Sequence, residues 1–96
     1  MTLNSKEWRI TEHSEYKNTI QQTPRSVRDY IDNQLKPQME NNPFLDAIRL
    51  RNKCDGLYEQ KIGKYRLVYR MNINSKVVEF LWIRAKPHAT AKCWVS

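Results

Sequence analysis

The sequence predicts an α+β fold in which two N-terminal helices pack on one face of a small antiparallel β-sheet. Apolar residues recur at helical spacing in the first half of the chain, and three strand patterns follow one another in the second half. Helices followed by a run of strands are typical of layered α+β domains. The 96 residues have the length of one domain with a modest core, covering residues 1–96.

The central strand pattern covers residues 65–70, where two kinds of side chain alternate. In an extended chain Leu67 and Tyr69 lie on one face, and Arg66 and Arg70 lie on the other. The first face is apolar enough to meet a core, whereas the second carries positive charge. The pattern therefore predicts a sheet with one buried face and one basic face.

Two more strands flank this one. Residues 57–62 lead into it through a turn at Gly63, and residues 76–84 follow a turn at 72–75, where asparagine tolerates the positive φ of a tight hairpin. The bulky run VVEFLWI in the last strand is typical of a strand covered on both faces. Short turns between successive strands favour an antiparallel meander.

The first half of the chain predicts a strand at residues 7–12, a short helix at 15–22 with Ser14 as its N-cap, and a second helix that starts at Thr23 and Pro24. Threonine caps a helix well, and proline suits the first helical position, which needs no N–H donor. The second helix carries an apolar stripe formed by Val27, Tyr30, Ile31 and Leu35. We expect this stripe to pack on the sheet.

Pro37 conflicts with a long second helix because its ring crowds the carbonyl group four residues earlier. The helix therefore either ends near Lys36 or kinks there and continues to Asn41. Asn42 and Pro43 end it in either case. A connector over residues 43–55 follows, with the cations Arg49, Arg51 and Lys53 in alternation.

Positive charge is concentrated in the second half of the chain. Residues 1–46 carry six Lys/Arg and seven Asp/Glu, whereas residues 47–96 carry eleven and three, giving +8 in a chain whose total is +7. A folded basic surface favours a polyanion, most simply a nucleic acid. An acidic protein partner would satisfy the same charge.

Several classes of protein are disfavoured. No apolar run approaches the ~20 residues that a membrane-spanning helix requires, and MTLNSKEW lacks the apolar segment of a signal peptide, so we expect a cytoplasmic protein without a membrane partner. Cys54 and Cys93 form no CxxC or Cys/His pattern. We expect both to be reduced thiols, with a disulfide between them as the alternative, and we expect neither a metal site nor a cofactor.

The predicted meander brings cations together. Lys61 and Arg66 would point away from the helices beside the first turn, and Arg84, Lys86 and His88 would leave the last strand toward the same area. Such a cluster suits cleavage of RNA by its own 2′-hydroxyl group. This reaction needs a proton acceptor, a proton donor for the leaving 5′-oxygen and cations for the charged phosphorane, but no metal.

The phrase GLYEQKIGKYRLVYR, preceded by an Asn-Pro pair and followed by an apolar strand that ends in arginine, resembles the RelE/ParE superfamily of bacterial and archaeal toxins. The similarity covers the chain from about Trp8 onward. It implies a RelE-like fold and the toxin of a type II toxin–antitoxin module that cuts mRNA on the ribosome. The implied partners are the ribosome, mRNA and an acidic antitoxin, with which the toxin would form a hetero-oligomer.

The resemblance also implies roles for individual residues. Lys61 matches the cation before the family's turn and Arg66 matches the arginine of its Y-R motif, so we expect both to be catalytic. Pro87 stands where some members have arginine, which makes His88 the candidate for the missing catalytic acid. Trp94 could stack on a base. The expected substrate-binding residues are Arg49, Arg51, Lys64, Arg84, Lys86 and Trp94.

Two alternatives remain open. A ParE-like toxin binds DNA gyrase and cleaves nothing, with the same fold and often a basic surface. A noncatalytic basic RNA-binding module is the second alternative, which the unusual C-terminus permits. The corresponding alternative for Arg66 is a structural role, as a strand arginine paired with Glu59 or Glu79.

Overall fold

A computed structural model describes residues 7–86, apart from the side chain of Asn52. Five strands form one sheet in the order β1-β5-β4-β3-β2, with bounds β1 Arg9–Glu12, β2 Ile48–Arg49, β3 Tyr58–Ile62, β4 Tyr65–Asn72 and β5 Val77–Ala85. The β3-β4-β5 meander is antiparallel, as predicted, and β2 pairs antiparallel with β3. Because β1 pairs with β5 in parallel, the sheet as a whole is mixed.

The helices precede the meander, which confirms the predicted α+β class. They are α1 (Ser14–Ile20), α2 (Arg25–Tyr30), a π-helical turn (Ile31–Leu35) and α3 (Lys36–Asn41), the last three being continuous. The cap of α1 is His13 rather than the predicted Ser14, since its Nδ1 accepts a hydrogen bond from the Glu15 N–H at 3.1 Å. None of the helices in this part of the chain is long and apolar enough to cross a membrane.

The second helix continues through Pro37 to Asn41, which is one of the two outcomes left open by the sequence. The N–H of Lys36 donates to the carbonyl of Ile31, five residues earlier. This wider turn accommodates a proline that lacks a donor and would crowd a regular α-helix. The helix axis is thereby kept, and Met39 reaches the core, where it is 0% exposed.

The core lies between the helices and one face of the sheet. Ile31 and Leu35 are buried there, and Val27 packs against the same cluster, so most of the predicted helical stripe is confirmed. Tyr30 is 37% exposed, and its predicted place in the stripe is wrong. The rest of the core consists of Trp8, just before β1, and of residues from α1, α3 and the strands, namely Tyr16, Met39, Ile62, Leu67, Tyr69, Val78, Phe80 and Ile83.

The two turns of the meander differ in how they reverse the chain. Gly63 has φ 60°, which glycine adopts without steric cost. In the second turn the positive φ of 55° belongs to Lys76, not to an asparagine as expected. Asn72 contributes through its side chain instead, because its Oδ1 accepts a hydrogen bond from the Ser75 N–H at 3.1 Å.

The predicted connector contains the short strand β2 and a 3₁₀ turn at Asn52–Cys54. The turn interrupts the expected extended alternation, so Lys53 does not continue the line of Arg49 and Arg51. Cys54 is buried and disulfide-bonded, which contradicts the expectation of a reduced thiol. Cys93 lies outside the described residues.

Candidate functional site

The meander aligns three cations on the sheet face opposite the core. Lys61 on β3, Arg66 on β4 and Arg84 on β5 are direct cross-strand partners. Paired residues of neighbouring strands lie on the same face with their Cβ atoms ~4.5–5.5 Å apart. We call these three residues the basic row.

The guanidinium of Arg66, in the middle of the row, is held by the protein itself. Its Nη1 donates to the carbonyl oxygens of Gly63 and Tyr65, both at 2.9 Å, and its Nε lies 3.8 Å from Glu59 Oε2. The residue is only 9% exposed. A buried charge needs such partners, and the planar guanidinium offers several donors in a fixed geometry. Arg66 is therefore fixed in one orientation under the β3–β4 turn.

Arg84 also has a carboxylate partner. Its Nη2 lies 3.2 Å from Glu15 Oε2, and the Glu15 side chain is 19% exposed. The helix α1 brings Glu15 there because it packs along the free edge of β5, where Thr19 Oγ1 accepts a hydrogen bond from the Ile83 N–H at 3.0 Å. Two of the three cations in the basic row are thus paired inside the protein.

Lys61 differs from its two neighbours because it is exposed. Within residues 7–86 no carboxylate forms an ion pair with it. Its ammonium group is therefore available to an anion from solution. The three cations of the basic row are paired with two carboxylates, those of Glu59 and Glu15, so one positive charge of the row is not neutralised.

Two buried apolar residues adjoin the basic row. Val68 pairs with Glu59 on one side and Trp82 on the other, two residues along the strands from the row. Val68 is 0% exposed and Trp82 is 7% exposed. Glu59, Val68 and Trp82 could have been assigned to this face from the alternation of the sequence, because each lies two residues from a member of the row in its own strand.

Lys64 and Lys86 lie at the same end of the sheet as the basic row. The N–H of Lys86 donates to the carbonyl oxygen of Lys64 at 2.9 Å, and both side chains are exposed. The Lys64 ammonium lies 5.7 Å from the centre of the Tyr65 ring. These two lysines extend positive charge from the row around the β3–β4 turn.

The remaining candidates are placed elsewhere or outside the described residues. Arg49 and Arg51 are exposed at the β2 side of the sheet, and Arg49 Nη2 lies 3.5 Å from Asp55 Oδ1. His88 and Trp94 lie outside residues 7–86. Glu15 could not be identified from sequence, since it is 69 residues from Arg84.

The geometry suits electrostatic binding of a phosphate rather than a deep ligand pocket. Cations at neighbouring sheet positions stabilise a negatively charged group better when their directions are fixed in advance. Arg66 and Arg84 are fixed by their contacts, whereas Lys61 is exposed and has no carboxylate partner among the described residues. The hydroxyl of buried Tyr69 is excluded from this chemistry because it points into the core, where it donates to the Pro43 carbonyl oxygen at 3.3 Å.

No protein-family model matches this chain, and no curated protein matches its sequence. Solved structures do match. The chain resembles the archaeal RelE–RelB complex of Pyrococcus horikoshii, with TM-score 0.69 and 24% identity over 86% of this chain and 99% of the other. It resembles the RelBE2 toxin–antitoxin complex of Mycobacterium tuberculosis, with TM-score 0.75 and 16% identity over 83% and 92% of the two chains.

A third structure is the YoeB/ParE toxin of Agrobacterium tumefaciens, with TM-score 0.67 and 17% identity over 80% of this chain and 96% of that toxin. The matches include RelE-like and YoeB/ParE-like proteins, so the fold does not separate these branches. They cover nearly the whole length of the matched chains. The order of elements, the mixed sheet and these matches together show that this chain has the fold of the RelE/ParE toxins.

Proposed function

We propose that this protein is the toxin of a type II toxin–antitoxin module and acts as a ribosome-dependent mRNA endoribonuclease. The basic row of Lys61, Arg66 and Arg84 is the observation that carries the proposal. Its setting in a fold shared with RelE and with toxin–antitoxin complexes supports the toxin role and an antitoxin partner. The expected location remains the cytoplasm, where the ribosome and mRNA are found.

In the proposed reaction a general base takes the proton of the RNA 2′-hydroxyl, whose oxygen attacks the adjacent phosphorus. The P–O5′ bond breaks and the leaving 5′-oxygen takes up a proton, which gives a 2′,3′-cyclic phosphate and a 5′-hydroxyl end. Lys61 and Arg66 stabilise the phosphorane, and His88 is the proposed proton donor. The proposed substrate-binding residues remain Arg49, Arg51, Lys64, Arg84, Lys86 and Trp94.

Inducible expression tests this function directly. We expect growth to stop and a reporter mRNA to be cut within its translated region, with 5′-hydroxyl ends at the new termini. A matched reporter without a ribosome-binding site should stay intact. Cleavage of both reporters would contradict ribosome dependence, and growth arrest with intact mRNA would contradict nuclease activity.

A ParE-like toxin that binds DNA gyrase without cleaving nucleic acid is the second candidate. The observation in its favour is that two of the three cations in the row already have carboxylate partners, and that Arg66 is buried. Such pairing is what a purely structural strand arginine would show. This candidate predicts an SOS response and gyrase trapped on DNA, whereas the nuclease predicts neither.

A further inference from the structure

Exposed apolar side chains gather at the β2 edge of the sheet. Five large apolar residues in the described part of the chain are exposed, and three of them lie beside β2: Tyr30, Leu45 and Ile48, at 37%, 47% and 37%. Of the other two, Phe44 packs edge-to-face on Trp8 with ring centroids 5.8 Å apart, and Ile73 lies in the β4–β5 turn. Single exposed apolar residues are ordinary, but a group beside one strand indicates an interaction surface. We call Tyr30, Leu45 and Ile48 the edge patch.

An open cavity of about 480 Å³ lies at the same edge. It is lined by Tyr30, Asp46, Ala47, Ile48, Gln60 and Lys61. Gln60 is fixed inside it, because its Nε2 donates to the Leu45 carbonyl oxygen at 2.7 Å and to the Tyr69 hydroxyl at 3.3 Å. The cavity therefore has a rigid floor, apolar walls and one charge of each sign at its rim.

The backbone of β2 can accept a further strand. It is the last strand in the sheet, and the Leu50 N–H donates to the Leu57 carbonyl oxygen at 2.9 Å on the β3 side. Since hydrogen-bonding directions alternate along an antiparallel strand, the N–H and C=O of Arg49 face away from β3. An edge that offers such groups is a template for an added strand.

We propose that an extended, acidic segment of the antitoxin adds to β2 as a sixth strand and places an apolar side chain in the cavity. The identity of this partner rests on the proposed function. Successive side chains of the added strand would lie on opposite sides of the sheet. One set meets Ile48, which pairs with Glu59 on the face of the basic row, and the other meets Tyr30 and Leu45 on the helix side.

Charge at the edge selects the acidic segment over a second copy of this chain. Arg49, Arg51 and Lys61 are exposed there, against the two carboxylates of Asp46 and Asp55. In a twofold pairing of two β2 edges, Arg49 would stand opposite Arg49, and like charges in that position repel. An acidic strand instead places carboxylates opposite the arginine.

Two substitutions at Arg49 separate the backbone from the charge. Arg49→Pro removes the outward N–H but leaves the hydrogen bonds of Ile48 and Leu50 to β3, whereas Arg49→Ala removes only the side chain. The probe is the product of the adjacent reading frame, which the proposed function requires to be a small acidic protein, titrated calorimetrically against each purified variant. We expect Arg49→Pro to weaken binding about tenfold more than Arg49→Ala does, through a lost main-chain hydrogen bond and a clash with the added strand.

Two further measurements do not depend on how well the proline variant folds. In the wild-type complex the Arg49 amide should exchange its hydrogen much more slowly than in the free chain. Ile48→Glu places a like charge against the acidic segment and should weaken binding, whereas Ile73→Glu, at an exposed apolar residue outside the patch, should not.

Failure of this proposal and failure of the proposed function give different results. If the acidic protein binds but the Arg49 amide still exchanges freely, and both Arg49 variants bind alike, strand addition is overturned and the toxin–antitoxin function stands. If the acidic protein does not bind the wild-type chain, the proposed function fails and this proposal fails with it. Protection of Arg49 in a dimer of this chain alone would assign the edge to a second copy and overturn the proposal.

Discussion

The guanidinium of Arg66 both stabilises the β3–β4 turn and contributes charge to the basic row. Arg66→Ala would remove two hydrogen bonds to main-chain carbonyls and withdraw the paired cation from Glu59, whose side chain is 14% exposed. We expect the free energy of unfolding to fall by about 1–3 kcal/mol, measured by urea denaturation. Unchanged stability would contradict the structural role. Because of this cost, loss of toxicity in Arg66→Ala does not by itself identify a catalytic residue.

Lys61 gives a cleaner test of chemistry because it is exposed and makes no ion pair with the described carboxylates. We expect Lys61→Ala to change stability by less than ~0.5 kcal/mol. Removal of an electrostatic contact to the phosphorane should lower the rate of mRNA cleavage by ~10²–10³, or about 2.7–4 kcal/mol.

The control for Lys61→Ala is Arg25→Ala, which changes the net charge equally at an exposed helical site away from the row. It should leave cleavage at the wild-type rate, as measured by primer extension on a translated message. Equal losses in the two variants would mean that overall charge, rather than position in the row, determines the activity.

Burial raises the pKa of Tyr69 to about 12, although a hydrogen bond from Gln60 opposes the shift. The pKa of Tyr16 is also raised, mainly by burial and to a lesser extent by the negative charges of Glu12 and Asp32. In the unfolded chain both hydroxyls ionise near the ordinary pKa of ~10. The folded state therefore holds protons that the unfolded state releases, and stability present below pH ~10 is lost as the pH rises toward 12.

Thermal unfolding between pH 9 and 11.5, followed together with tyrosinate absorbance, checks this expectation. The melting temperature should fall over that range, more shallowly in Tyr69→Phe than in the wild type. A full tyrosinate signal at pH 11 in a protein that is still folded would contradict the burial argument.

At the scale of elements, continuation of the second helix beyond Pro37 is decided by what it buries. Met39 lies on α3 and is 0% exposed, so ending the helix near Lys36 would leave a gap in the core. We expect Met39→Ala to lower the free energy of unfolding by about 2–5 kcal/mol. The half-buried Met71 provides the control, and Met71→Ala should cost clearly less in the same urea titration. If Met39→Ala lowered the free energy of unfolding no more than Met71→Ala does, a substantial contribution of α3 to the core would be contradicted.

A helix or strand can be predicted from sequence to the extent that its signal lies in residues that are neighbours along the chain. The meander could be predicted to within one or two residues because period-two alternation and turn residues are both written in the sequence. The strand β2 has two residues and no detectable period, so the sequence predicts only a connector there. Parallel pairing of β1 with β5 depends on a connection across most of the chain, which local rules do not contain.

The same distinction holds for the candidate site in the whole molecule. Alternation and turn position place Lys61 and Arg66 on one face, and antiparallel register adds Arg84. Glu15 comes from a helix 69 residues away, so its contact with Arg84 depends on tertiary packing. Tyr30 satisfies the helical period but is 37% exposed, beside the open cavity at the β2 edge of the sheet. The periodicity of a sequence shows which residues lie on the same face of a helix. It does not show how far the sheet that packs against that face extends.

Net charge makes a prediction for the assembly with an antitoxin. Residues 47–96 carry +8, and an acidic partner would be attracted to the basic row and the β2 edge together. Because the screening length falls from ~10 Å at 0.1 M salt to ~3 Å at 1 M, the dissociation constant should rise with salt, mainly through slower association. Apolar contacts at the edge patch would persist, so binding should weaken without being abolished.

Titrations at 50 mM and 500 mM salt measure this dependence. Arg49→Ala and Lys61→Ala should each show a shallower dependence on salt than the wild type, because each removes an exposed cation from the proposed contact. Arg25→Ala, on the exposed surface of α2, should keep the wild-type slope. A dissociation constant that is equal at both salt concentrations would mean that the antitoxin binds through apolar contacts alone, with the positive charge of the second half left for the nucleic acid.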